Sequence, residues 1–436
     1  MRHWGNIDIN EEGHLVLGGC DAVLLAKQFG TPLYVMEEDK IRGVCKGYMR
    51  AINGYKGGGK VLYAGKAFST TAMCKIIMSE GLGLDVASAG ELFVARNAGF
   101  DLKNAYMHGN NKTAEDLDMA VSSGIGRIVI DSFREIDMLS GTAQKAGRVQ
   151  DVSIRIKPGI EAHTHDYIKT GQVDSKFGFG IEDGQALDAV KRILAQKSLN
   201  LAGIHCHIGS QIFELDPFRE AVKVLFDFLL RVKENTGFVL PELNFGGGYG
   251  IHYTNSDKPL LPHEYVQTML DELSAACDEK GIEPPAFVIE PGRSVAGEAG
   301  TTLYTIGNIK KIPNVRTYVS VDGSMADNIR PALYQAKYTC ALANRMNEPD
   351  DSAVTIAGRA CESGDMLIWD ALLPNAQAGD VLAVFSTGAY NYSMASNYNK
   401  LPHPAVVLVK DGLAELMVRR QSFEDLVRND LIPSWL

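Results

Sequence analysis

Lys66 stands in Tyr63-Ala64-Gly65-Lys66-Ala67-Phe68, directly behind the apolar run Val61-Leu62-Tyr63-Ala64. A lysine amine at the end of a buried segment is the group that condenses with a carbonyl compound. Further along come His207 and Ser210 in HCHIGSQ, the triplet Gly246-Gly247-Gly248, and Glu290-Pro291-Gly292-Arg293. A glycine run behind a strand lets backbone N–H groups approach a phosphate without interference from Cβ atoms. A serine hydroxyl and an arginine add to such a cradle. Glu290, a carboxylate at an apolar strand end, needs a cation or a proton donor. Of His205 and His207, both in the one run LAGIHCH, one is expected to pack and the other to be functional. An amine, a phosphate cradle, an acid for a ring nitrogen and a histidine for the ring plane together fit pyridoxal phosphate. That cofactor is held as a Schiff base on a lysine and accepts the electrons of a broken Cα bond.

These residues need strands to carry them. The candidates are VLYA (61–64), GLDVA (83–87), AYMH (105–108), RIVID (127–131), VSIRI (152–156), LAGIHCH (201–207), LNF (243–245) and FVIE (287–290). Helix starts follow the second, third and fourth: Ser88 to Glu91, Thr113 to Asp116 and Ser132 to Glu135 read as capping boxes. Gly81, Gly99 and Gly124 fall where the helices after the first, second and third strands should stop. Strand, capped helix, glycine, strand is the grammar of a parallel sheet, and eight repeats favour a closed (β/α)₈ barrel of the TIM type. The lysine, His207, the glycine run and the Glu290/Arg293 pair then converge on the strand C-termini, where barrel active sites lie. The stretch 157–182 reads as a functional insertion. Its His163 and His165 read as part of a loop closing over substrate rather than as metal ligands, and no metal site is expected.

Beyond about residue 300, apolar runs such as TLYTIGNIKKI and VVLVKDGLAELMVRR succeed one another without helices, and Asp411-Gly412 signals a hairpin. The expected architecture is therefore α/β plus all-β, with the barrel over 31–280 and an antiparallel β-barrel or sandwich domain over 1–30 and 281–436. DINEEGHLVLGG near the start reads as a hairpin of that second domain. The 436 residues suffice for two domains. A net charge of −10 argues against nucleic acid, and no apolar run spans a bilayer. Seven scattered cysteines without a C-x-x-C pair fit a reducing cytoplasm.

The motifs YAGKAF, HGNNK, HCHIGSQIF, NFGGGYGI, EPGRS, DNIRPALYQAKY, CESGD and GAYNYSMASNYN, with PGIEAHTHDYIKTGQVDSKFGF at 158–179, cover nearly the whole chain. Together they resemble the fold-III pyridoxal-phosphate decarboxylases, which share an alanine-racemase-like barrel and a β domain. Within that group the chain is similar to the diaminopimelate decarboxylase family. The resemblance implies that Lys66 bears the cofactor and that His207 lies against its ring. Ser210, Gly246, Gly247 and Gly248 hold the phosphate, Gly292 belongs to the cofactor site, and Glu290 meets the ring nitrogen. It implies that Arg293, Arg330 and Tyr334 grip substrate, that Glu362 reads the far ammonium group, and that Tyr390 lies near cofactor and substrate. Cys361, as proton donor, and Glu362 would come from the partner of an obligate homodimer. The implied reaction converts meso-diaminopimelate to L-lysine and carbon dioxide. Arg330 and Tyr334, four residues apart, share a face if that segment is helical; the intervening Pro331 either argues against a helix or stands at its start.

Three other readings compete. One is a decarboxylase of ornithine, arginine, carboxynorspermidine or a related secondary-pathway substrate. Another is a racemase, which keeps the carboxylate and needs bases on both ring faces. The last is a non-catalytic regulator, which has no need for the lysine or the phosphate loop.

Overall fold

The computed structural model describes residues 7–160 and 175–436, so His163 and His165 lie outside the described residues. Eight parallel strands follow one another around a sheet: β1 (Gly59–Ala64), β2 (Gly83–Val86), β3 (Ala105–Met107), β4 (Arg127–Ile130), β5 (Gln150–Lys157), β6 (Leu199–His205), β7 (Glu242–Asn244) and β8 (Ala286–Ile289). β8 pairs with β1 through Ile289 and Val61, which closes the sheet into a TIM-type barrel. Each strand lies within two residues of the run that announced it. Leu62, Tyr106 and Val288, from three different strands, pack as one buried cluster. A short strand, Phe179–Gly180, extends the sheet beside β5 at Ile156.

The helices after β2, β3 and β4 are Ala89–Asn97, Ala114–Ser122 and Phe133–Lys145. Ser88, Thr113 and Ser132 each accept from the N–H three residues on, as the sequence predicts. Only Thr113/Asp116 closes the reciprocal box. The carboxylates of Glu91 and Glu135 reach one residue further back, to the N–H groups of Ala87 and Asp131. Glu135 is drawn there by its buried partner Lys112, 2.8 Å away. Each helix ends before a glycine with positive φ, and Gly99 at +72° adopts the left-handed conformation that a Cβ disfavours.

The second unit is a mixed sheet, not the purely antiparallel one expected. Its main path runs Met366–Leu373, Ser352–Ala357, Arg316–Val321, Gly300–Ile312, Leu33–Glu37, Ala405–Lys410, Leu413–Val418. Two of these pairs are parallel: Tyr318 opposite Thr355, and Ala405 opposite Leu33. The Asp411-Gly412 hairpin forms where predicted, with both residues at positive φ. The N-terminal hairpin, Asp8–Ile9 with Leu15–Leu17, makes its own three-stranded sheet with Cys20–Asp21. It is tied to this unit by the Leu15 N–H to Ala343 carbonyl bond (2.8 Å) and by an apolar cluster of Leu15, Leu17, Val35, Leu303 and Val407.

The unit boundaries differ from 31–280 and 281–436. The barrel unit comprises Arg42–Ile251 and Lys258–Val295, and the sheet unit holds the chain up to Ile41, His252–Asp257 and everything from Ala296. The reasons are two strands. Leu33–Glu37 is hydrogen-bonded to Gly300–Ile312 and Ala405–Lys410, and Ala286–Ile289 is the barrel's eighth stave.

Candidate active site

Glu290 follows β8 directly and is buried. Its carboxylate accepts from Asn244 Nδ2 at 2.7 Å and meets Nε2 of His108 at 2.9 Å and Nε2 of His205 at 3.1 Å. Burial alone would raise its pKa; the two histidines and their hydrogen bonds outweigh that and hold it well below the ordinary carboxylate value. The histidines are not equivalent. Burial opposes protonation of His108, but Glu290 and Asp85 overcome it and raise its pKa, so it is the more readily protonated of the two. Burial pushes His205 down to about 4, so at neutral pH it contributes a hydrogen bond and no charge. His205, one of two histidines of which one was expected to be packing, therefore belongs to the same network. Three ligand-type atoms of His108, His205 and Glu290 lie within 4.8 Å of one another, and they already satisfy each other.

A pH dependence follows. Between about pH 6.5 and 4 the unfolded chain protonates the residue-205 imidazole while the native protein does not. This contribution to stability is whole above 6.5 and is lost as pH falls toward 4, with a limiting slope of about 1.4 kcal/mol per pH unit. Thermal melts over that window should be shallower in His205→Gln. An identical acid slope in wild type and variant would contradict it.

Lys66 lies in a single 3-10 turn, Gly65–Ala67, between two buried neighbours, with its own side chain exposed at the end of β1. Burial raises the pKa of Asp85, to about 6, and that of Glu91, and the nearby Lys66 moderates both shifts. His207, just past β6, is held well below its ordinary pKa by burial first and by Lys66 and Arg155 next, so it presents a neutral ring. The Gly247 N–H donates to its Nδ1 at 3.3 Å, which places the ring proton on Nε2.

The triplet threads a gap with no room for side chains. A Cβ on Gly246 would lie 2.5 Å from the Cys206 carbonyl oxygen, on Gly247 2.3 Å from that of Glu290, and on Gly248 2.6 Å from that of Gly209. Gly246 N–H is taken by Asn244 Oδ1 (2.9 Å) and Gly247 N–H by His207. Gly248 N–H makes no hydrogen bond among the described residues. Arg293 is buried and donates twice to Ser210 Oγ, at 2.9 and 3.2 Å, so the geometry groups it with the serine. Gly292 lets the loop pack on β1, since a Cβ there would meet Ala64 at 2.9 Å.

The remaining predicted residues lie in the sheet unit. Arg330 opens the helix Arg330–Tyr334, with Pro331 in its first turn, the second of the two alternatives. Its guanidinium is buried, and its phenol partner is Tyr338 rather than Tyr334. Tyr390 adopts φ +65°, a strained conformation for a bulky residue, and its field favours the Arg330 charge. Cys361 and Glu362 are exposed on a loop pinned by buried Asp365, which accepts from the N–H groups of Met325 (2.6 Å) and Ala360 (2.8 Å). The Cys361 N–H donates to Asn399 Oδ1 at 2.6 Å, and Glu362 accepts from Tyr398 at 3.3 Å.

Residues 39–297 match the family model described as pyridoxal-dependent decarboxylase, pyridoxal binding domain. The chain is 51% identical to the diaminopimelate decarboxylase of Bacillus subtilis strain 168, across 97% of this chain and 96% of that one. The chain belongs to the diaminopimelate decarboxylase family. The enzyme of that name from Synechocystis is 45% identical over 98% of this chain and 92% of its own length. Among solved structures, the diaminopimelate decarboxylase of M. jannaschii in complex with L-lysine superposes with a TM-score of 0.93 at 34% identity, covering 99% of both chains.

The family's cofactor fits the residues present. The barrel mouth supplies an accessible amine at Lys66 and a carboxylate held anionic for a ring nitrogen. His207 adds a neutral ring, and the glycine gap ends in an unused N–H beside the Ser210/Arg293 pair. Several groups beside the predicted residues were not read from the sequence: in the barrel, Asp85, His108, Arg155 and Asn244 around Glu290 and His207; in the sheet unit, taken by itself, Tyr253, Tyr338 and Asn391 around Arg330. Strand-end position points to all four barrel residues, Asn244 being the last residue of β7.

Proposed function

We propose that the chain removes carbon dioxide from meso-2,6-diaminopimelate and leaves L-lysine, the last step of lysine biosynthesis by the diaminopimelate route, using pyridoxal phosphate. The observation that carries this reading is Glu290, a buried carboxylate kept anionic by His108 in a barrel mouth that also offers Lys66 and a side-chain-free glycine loop.

Lys66 would attach the cofactor, Glu290 would hold a proton on its ring nitrogen, and His207 would lie against its plane. Ser210, Arg293 and Gly248 would hold its phosphate, with Gly246 and Gly247 shaping the loop. When bound, the cofactor takes up the electron pair left at Cα as the carboxylate departs as carbon dioxide. Arg330 binds the substrate's distal carboxylate, and a guanidinium fork suits that group better than an ammonium does. Tyr334 and Tyr390 flank it. Glu362 meets the far ammonium. Cys361 Sγ returns the proton to Cα, which completes the exchange of a C–C bond for a C–H bond.

Cys361 and Glu362 act in the neighbouring subunit of a homodimer. Their exposure on this chain supports that arrangement, as do Leu431, Ile432, Trp435 and Leu436, all exposed at the C-terminus. A cytoplasmic location fits seven cysteines with no disulfide among the described residues. The net charge of −10 argues against a nucleic-acid partner, and no described helix is long and apolar enough to cross a membrane.

Carbon dioxide release from a panel of meso-diaminopimelate, ornithine, arginine and carboxynorspermidine tests the reading. Preference for any of the others would overturn it, as would racemisation without gas. Cys361→Ala should keep the cofactor's visible absorption and lose turnover by a factor of roughly 10²–10⁴, the usual range for a proton-transfer group. Unimpaired turnover would remove Cys361 from the role.

A further inference from the structure

Arg330 is buried, yet no carboxylate of the described residues pairs with it. Aromatic rings surround it instead. The guanidinium lies 4.8 Å from the Tyr253 ring centre and 5.6 Å from that of Tyr338. The two rings meet edge to face with centres 5.2 Å apart. All these residues belong to the sheet unit, Tyr253 through its 252–257 segment.

The hydrogen bonds have a fixed direction. Arginine has only donors, so its Nη1 bond to the Tyr338 hydroxyl uses that oxygen as acceptor. The Tyr338 proton is left to donate onward, and its acceptor is Asn391 Oδ1 at 3.3 Å. That orients the amide and turns its NH₂ away from the phenol. Asn391 is 0% exposed, and its Nδ2 has no hydrogen-bond partner among the described residues. A buried cation without a counter-ion and a buried amide donor without an acceptor, joined through one phenol, are a donor pair that lacks an anion among the described residues.

We propose that Asn391 is a second donor to the substrate carboxylate that Arg330 binds, and that Tyr338 and Tyr253 are positioning residues holding both donors in place. This rests on the reading of Arg330 given above. Tyr338 fixes the amide through its hydroxyl and the guanidinium through its ring and oxygen. Tyr253 supplies the other wall of the slot. A carboxylate has two oxygens, so a fork and an amide can share it without competition.

The test uses cofactor-loaded enzyme and steady-state decarboxylation of meso-diaminopimelate. Cofactor absorption and melting temperature serve as folding controls. Asn391→Ala should raise KM about 10-fold, the scale of one hydrogen bond to a charged group, with kcat within about threefold. Asn391→Asp, nearly the same shape, should raise KM further, because its carboxylate pairs with Arg330 and repels the substrate. A packing role predicts the reverse order. Tyr338→Phe keeps the ring and removes the hydroxyl; it should raise KM by about threefold, a readable result even where an Asn391 variant folds poorly. Unchanged KM in Asn391→Ala and Tyr338→Phe, or an Asp variant milder than the Ala variant, would overturn the proposal. Wild-type enzyme that releases no carbon dioxide from this substrate would instead overturn the reading of function on which it rests.

Discussion

Lys66→Ala is expected to lower kcat/KM for meso-diaminopimelate by at least ~10³-fold, the scale on which loss of a covalent catalytic group acts. The lysine stands at the tip of β1 in a turn whose flanking residues are buried, so little else in the fold depends on its side chain. The melting temperature should therefore change little. Its charge does act on the neighbouring groups: removing it should let Asp85 and Glu91 rise further and let His207 recover part of its lost basicity. Retention of more than about a tenth of the activity with a correctly folded variant would show that the amine is not required.

Glu290→Gln should be the next most damaging change, lowering kcat by roughly 10²–10³. The substitution keeps size and one acceptor but removes the charge. In the native site that carboxylate stays ionised because His108, His205 and the Asn244 amide that bond it outweigh its burial. A neutral amide cannot stabilise a protonated ring nitrogen, so the electron-accepting power of the site falls with it. The variant also strips His108 of the partner that raises its pKa, leaving Asp85 at 3.8 Å as its remaining anion. The stability the raised His108 value provides is whole below about pH 6.5 and disappears as pH rises through the higher native value. In Glu290→Gln that loss should be smaller and complete at a lower pH. Steady-state rates and melts across pH 5–9 would read both effects, and wild-type kcat in the variant would contradict the role.

Much of the barrel was legible because apolar strands, N-caps and glycine stops repeat locally. Its eight staves fall within two residues of the runs that announced them. The site was legible only where the strand-end rule was applied. Reading β1, β6, β7 and β8 gives Lys66, His207, the glycine triplet and Glu290. The same rule on β2, β3 and β5 gives Asp85, His108 and Arg155, which set the charge of Glu290 and the neutrality of His207. The sheet unit was harder for a physical reason. Alternation identifies a strand but not its neighbour, so the parallel pairing of Ala405–Lys410 with Leu33–Glu37 had no local signature. LYVME, buried at every position, shows no alternation at all. The Tyr253–Arg330–Tyr338–Asn391 cluster joins residues far apart in the chain, and no spacing rule brings them together. Tyr334 illustrates the limit: four residues from Arg330 on a real helix turn, it yields the arginine's hydrogen bond to Tyr338.

The most direct measurement of the central claim is borohydride reduction of the cofactor-loaded enzyme followed by peptide mass mapping. The account predicts one modified lysine, in the peptide containing Tyr63 to Phe68, with the added mass on Lys66. Modification of a different lysine, or of none while activity is lost on reduction, would contradict it.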